Sequence, residues 1–167
     1  MNKFLRIILV ILGILLTGYI MNSEQKAKVV ELKDEEVMAL TLYGEARGAS
    51  FNAKLGMAQV MWNRTKDKRF GSNIKEVVTK PKQFSCYNDN DVNLQIIMGV
   101  VEDFDGNFNK NIHLRECYMI ALAVINGYIQ GKVKDSLFYH TTGVNPKWNK
   151  NMILEAKIGN TLFWKEK

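Results

Sequence analysis

Scarcity sets the first limits on this chain. Its 167 residues include only two prolines, two cysteines and two histidines. Two cysteines are too few for a disulfide scaffold or a four-thiolate zinc site. His113 and Cys117 stand four residues apart, but zinc sites generally need two close ligand pairs and only one is present, so no metal and no cofactor is expected. There is no internal repeat and no low-complexity tract, which excludes repeat architectures. Basic residues form no dense run: Lys66, Lys68, Arg69, Lys80, Lys82, Lys147 and Lys150 are scattered. That pattern argues against nucleic acid as a partner.

What is present suits one folded domain. Hydrophobic residues make up 47% of the chain, enough for a core and too many for a disordered segment. The length allows one compact domain with a short appendage. A net charge of +6 favours polyanionic surroundings without choosing among them.

The appendage is read at the N-terminus. Lys3 and Arg6 precede residues 7–21 (IILVILGILLTGYIM), which carry no charge. A basic flank before an apolar run of this length reads as a signal peptide or a signal anchor, with the remainder exported across the membrane. No small-residue cleavage site stands out near Thr17–Tyr19. Lys3 and Arg6 account for two of the six net charges, leaving the rest of the chain at +4. Residues 22–33 are polar and read as a tether, and residues 34–167 as the domain.

Within the domain the spacing predicts a helix over 34–46 capped by Asp34, and a second over about 52–66 capped by Ser50. A short helix opens at Ser72 or Asn73 and ends at Pro81. Residues 91–101 read as helix, 102–111 as loop, and 112–130 as a long helix stopped by Gly131. Residues 137–140 read as a strand, and 155–158 with 161–164 as a hairpin turning at Gly159 and Asn160. The fold class is α+β and mainly helical, a helical body with a small C-terminal antiparallel sheet.

Glu45 is the residue that asks for an explanation. At about 100° per residue, Met38, Leu42 and Glu45 fall within about 40° of one another on one helix face. A charge at the end of an apolar stripe is costly to bury. It is either paired with Arg47 or Arg64, or exposed at the helix end, or a general acid whose pKa a semi-apolar pocket raises.

The blocks around it are informative in order. Residues 43–48 (YGEARG) are followed by 58–64 (AQVMWNR), 80–87 (KPKQFSCY), 121–131 (ALAVINGYIQG), 138–148 (FYHTTGVNPKW) and 158–164 (IGNTLFW). Together they resemble the SleB/CwlJ-type cell wall hydrolases from about Glu36 to Trp164. The resemblance implies a lysozyme-like cleft that cuts peptidoglycan glycan strands between N-acetylmuramic acid and N-acetylglucosamine. It assigns the catalytic acid to Glu45. It also implies lytic transglycosylase or muramidase chemistry, the first needing a single carboxylate. For a hydrolytic mechanism the available partner acids are Asp89 and Asp91, although an Asn- and Asp-rich loop is more often turn chemistry.

Further residues of the site follow from the same blocks. Tyr43, Gln83, Phe84 and Ser85 are candidates for lining the cleft, with core packing an equal reading for Phe84. Tyr139, His140 and Trp148 could reach or stack on a glycan, while His140 could serve a structural hydrogen bond and Trp148 could anchor its loop. Asn63 and Arg64 are read as holding loops near Glu45. The family's glycine-rich turn ahead of the strand is replaced here by residues 134–137 (KDSL). An oxidising compartment would favour a Cys86–Cys117 disulfide. The expected protein is a monomeric, exported, wall-degrading enzyme, an endolysin or autolysin, tethered to the membrane if its leader is retained. The competing readings are an N-acetylmuramoyl-L-alanine amidase and an anchored wall-binding protein without activity.

Overall fold

Four helices surround the first one, and that arrangement explains its sequence. The computed structural model describes residues 24, 27–29 and 31–167; the expected leader lies outside the described residues. Among those described, no helix is long and apolar enough to cross a membrane. Helix α1 (Asp34–Ala46) packs against α2 (Phe51–Arg64), α3 (Ile74–Thr79), α4 (Val92–Glu102) and α6 (Ile112–Ile125). Its residues from Val37 to Leu42 are all buried, as expected of a helix that is apolar on every side. The short helix α5 (Phe104–Lys110) lies between α4 and α6. Part of the stretch read as a tether joins this body, since Val29 is buried and Leu32 packs on the core.

Side-chain caps start most of these helices. Ser50, Asn73, Asp91, Asp103 and Asn111 each accept a backbone N–H from the first turn of their helix, which satisfies donors the helix cannot pair internally. For α1 the cap is not Asp34. Glu36 reaches back to the Lys33 N–H at 2.8 Å, and three acids fill the first turn, where the helix dipole favours them.

Two boundaries differ from expectation for physical reasons. Residues 102–111 are not a loop: Phe104 and Phe108, four apart in α5, pack edge-on against Tyr118 of α6, and this tertiary contact supports a helix that composition disfavours. Helix α6 stops at Ile125 rather than near Gly131. The Gly127 N–H bonds to the Val124 carbonyl and the Tyr128 N–H to the Ala123 carbonyl at 2.8 Å. Gly127 takes a φ of 70°, so a Schellman motif closes the helix there.

The C-terminal sheet is antiparallel in the order β1 (Phe138–Thr141), β3 (Thr161–Lys165), β2 (Ile153–Ile158). Tyr139 pairs with Phe163 and Leu154 with Trp164. A bulge between Leu154 and Ala156 leaves Glu155 unpaired in the ladder, which turns its carboxylate toward the loop before β1. There it accepts the Ser136 hydroxyl at 2.6 Å and the N–H groups of Asp135 and Ser136. Glu155 thus anchors the backbone of residues 135 and 136 ahead of β1.

The sheet docks on α2 through one close approach. A Cβ on Gly56 would stand 2.6 Å from the buried Phe163 ring. Nearby, the buried Lys54 amine pairs with Glu116 of α6 at 2.5 Å. The expected disulfide does not form: Cys86 and Cys117 are both free and buried. Burial pushes the Cys86 thiol far above its usual range, with the Glu45 carboxylate adding to the effect. Burial raises Cys117 to about 11.

Two outcomes are expected. Gly56→Ala should lower stability by about 1–3 kcal/mol in a denaturant titration, because the Phe163 ring must move to make room. Since only thiolates react, both raised thiols should resist a disulfide reagent at pH 8 in the native protein, and two equivalents should react after unfolding.

Candidate functional site

The site is built from the last turn of α1 upward. Thr41 and Glu45 are four residues apart, so they share a helix face. Both engage the short 3₁₀ turn Ser85–Tyr87. Thr41 Oγ1 lies 2.9 Å from the Tyr87 hydroxyl in the interior. Glu45 Oε1 accepts the Cys86 N–H at 2.8 Å and the Ser85 hydroxyl at 3.1 Å. The turn can lie this close because Gly44 has no side chain: a Cβ there would meet Cys86 Cβ at 2.8 Å and Ile97 Cδ1 at 2.7 Å. Both of these bonds to Glu45 fall on Oε1 of the carboxylate.

The turn leading into this segment has its own local cause. Residues 80–83 close with the Gln83 N–H on the Lys80 carbonyl at 3.2 Å. Pro81 holds the second position and Lys82, at a φ of 65°, the third, the signature of a type II turn.

Glu45 faces an open groove of about 730 Å³ between the end of α1, the start of α2 and the tip of the β2–β3 hairpin. Arg47, Met57, Asn93, Thr141 and Asn160 also line it. Glu45 is the only acid among the lining residues described. The salt bridges considered for it are not made. Arg47 Nη1 donates to Asn93 Oδ1 at 2.8 Å and lies over the Tyr43 ring. Arg64 turns to the Leu137 carbonyl at 2.7 Å and the Gln83 amide oxygen at 3.3 Å. The Arg64 guanidinium is also sandwiched among the rings of Phe70, Phe84 and Phe138, and its desolvation there lowers its pKa.

The candidate residues separate into two groups. Ser85 bonds Glu45 directly and Tyr139 feels its charge, although neither is among the described residues that line the groove. Burial and the Glu45 charge hold the Tyr139 phenol above its usual range, while Arg64 acts in the opposite sense. Tyr43, Gln83, Phe84, His140 and Trp148 are not among the groove's lining residues. The Tyr43 hydroxyl accepts from Asn111 at 2.7 Å, at the start of α6. Phe84 is 2% exposed and packs beneath Arg64, so core packing is its role.

His140 and Trp148 belong to a separate aromatic stack on the sheet. His140 lies parallel to Trp164 at 5.8 Å and edge-on to Trp148 at 5.5 Å. Its Nδ1 donates to the Thr141 carbonyl at 2.9 Å, which leaves Nε2 to accept from Asn149 at 3.4 Å. Of the two acids weighed as partners of Glu45, Asp91 caps α4. Asp89 borders a second cavity of about 420 Å³ together with Lys80, Pro81 and Asn88.

The groove residues that sequence reading missed are Arg47, Asn93, Thr141 and Asn160, together with the Cys86 N–H. Asn93 sits in the first turn of a stretch read only as helix, Asn160 in a stretch read as a hairpin turn, and a backbone N–H carries no residue signature at all. Asn63 and Arg64 do hold nearby loops: Asn63 Nδ2 donates to the carbonyls of Lys134 and Ser136 at 2.9 and 3.1 Å.

Comparison with known proteins agrees with this geometry at the level of family. The Cell Wall Hydrolase family model matches residues 48–164, from just past Glu45 to the last strand. No curated protein and no solved structure matches the chain. With most of the folded body inside the match, the chain belongs to the SleB/CwlJ family of cell wall hydrolases, enzymes of peptidoglycan degradation.

Proposed function

We propose that this protein is a peptidoglycan glycosidase acting as a lytic transglycosylase on the bond between N-acetylmuramic acid and N-acetylglucosamine. The observation that carries the reading is the solitary carboxylate: Glu45 is the only acid among the described groove residues. An inverting or retaining hydrolase usually needs two carboxylates. A transglycosylase needs one, because the substrate supplies its own nucleophile.

In the first half of the reaction, protonated Glu45 donates its proton to the glycosidic oxygen as the C1–O bond breaks. In the second, the resulting carboxylate takes the proton from the muramoyl 6-hydroxyl while that oxygen closes on C1. Glu45 returns to its protonated form and the product carries a 1,6-anhydro ring. The Cys86 N–H and Ser85 hydroxyl on Oε1 orient the carboxyl so that Oε2 faces the glycan. Asn93, Asn160 and Thr141 offer amide and hydroxyl partners for sugar hydroxyls and N-acetyl groups. The same reading places the enzyme outside the cytoplasm as a monomer, delivered there by the apolar leader.

Glu45→Gln should reduce release of soluble fragments from purified peptidoglycan by about 10²–10⁴-fold, the usual contribution of a positioned acid–base. Ser85→Ala, which removes one hydrogen bond to a charged acceptor, should cost about tenfold. Mass spectrometry of the released muropeptides should find anhydro-muramoyl ends. Reducing muramoyl ends would assign a muramidase instead, free peptides an amidase, and full activity in Glu45→Gln would remove the acid assignment.

A further inference from the structure

A further cavity shares a wall with the groove that holds Glu45. It measures about 630 Å³ and is bordered by Lys132, Lys134 and Lys157, with Asn52 and Gln130 beside them. Ile158 and Gly159, at the hairpin tip, line both this cavity and the groove that holds Glu45. The three lysines are exposed, and no ion pair engages them among the described residues. No acid is among the described residues that line the cavity. The nearest acids along the chain are occupied elsewhere. Asp135 meets Lys165 at 3.3 Å, and Glu155 accepts hydrogen bonds from the 135–136 backbone and the Ser136 hydroxyl.

We infer that this lysine-lined cavity is a subsite for the carboxylates of the peptide stem carried by the muramoyl residue at the cleavage point. The inference rests on the reading of the groove as a peptidoglycan glycosidase site. Every muramoyl residue carries its peptide through a lactyl ether on the sugar ring, so a glycan strand in the groove holds a stem close to Glu45. Such stems bear free carboxylates. A stem crossing the hairpin tip at Ile158 and Gly159 enters a concave surface with three ammonium groups and neutral amide donors. Three like charges on the border of one cavity, with no acid among its described lining residues, attract anions more strongly than scattered surface lysines do. The subsite therefore selects strands with intact stems over bare glycan, and its effect falls as salt rises.

The test compares peptide-bearing glycan strands with the same strands stripped of peptides by an amidase, using the full chain. The triple variant K132Q/K134Q/K157Q keeps the side-chain stems and removes the charge. Its KM on peptide-bearing strands should rise about tenfold, as expected for losing three rim charges of modest individual strength, with kcat unchanged. On stripped strands it should match the wild type, and K132R/K134R/K157R should restore the wild-type KM. An unchanged KM on peptide-bearing strands, or an equal loss on both substrates, overturns the subsite. Independently of catalysis, released stem peptide titrated into the wild type should shift the Gly131 and Gly159 amide resonances, and not in the triple variant; absence of that shift also overturns it. If both strand types resist the wild type, the glycosidase reading fails while the titration still decides the subsite. Loss of a phosphate-rich wall polymer from the triple variant, without any stem-peptide shift, would assign the cavity to phosphate and overturn the stem assignment.

Discussion

The missing side chain of Gly44 is the constraint on which the site depends. With no Cβ at that position, the Ser85–Tyr87 turn lies against α1 closely enough for the Cys86 N–H to reach Glu45 at 2.8 Å. Any larger residue would push the turn away, because the atoms in its path are Cys86 Cβ and Ile97 Cδ1 inside the core, and packed interiors have little room to yield. The same approach buries Cys86 and brings Tyr87 to Thr41 one helical turn earlier. A single carboxylate is therefore held by main chain, which cannot rotate away as a side-chain donor can.

The opposite side of the site depends on the end of α2. Arg64 takes the Leu137 carbonyl before β1 and the Gln83 amide before the 3₁₀ turn, so one guanidinium ties these two segments together. Its desolvation is offset by charge-assisted hydrogen bonds and by three aromatic faces, where a guanidinium is better accommodated than an ammonium. Asn63, one residue earlier, holds the carbonyls of Lys134 and Ser136. Glu155 secures the N–H groups of that same loop from the sheet side. Both polar edges of the loop are thus satisfied, and β1 enters the sheet in a defined register with Tyr139 opposite Phe163.

Much of this was legible where the signal is local. Ser50, Asn73 and Asp91 announce helix starts because a short polar side chain before an apolar run pairs the first free N–H groups. Gly159 and Asn160 mark the hairpin because one of them must adopt a positive φ, which Gly159 does. Glu45 drew attention because a carboxylate in an apolar stripe is costly to bury, and the family resemblance gave it the acid's part. What stayed hidden depends on contacts between distant segments. Residues 102–111 look like a loop until Phe104 and Phe108 meet Tyr118. Phe84 is open to a cleft-lining or a core reading until Arg64 covers it, and His140 to a glycan-facing or a structural one until Trp164 stacks on it.

The sequence by itself determined most of the element types, their order, the carboxylate in the apolar stripe and the family blocks around it, because each of these is encoded within a few turns of helix or one hairpin. It also carried an excess of basic charge without revealing where that charge gathers. Only the tertiary structure decided that Asn93 and Asn160 share a groove with Glu45, that the two candidate partner acids do not line it, and that Lys132, Lys134 and Lys157 converge beside it. The reason is physical: periodicity and capping act over three or four residues, whereas a groove is closed by packing between segments that stand far apart along the chain.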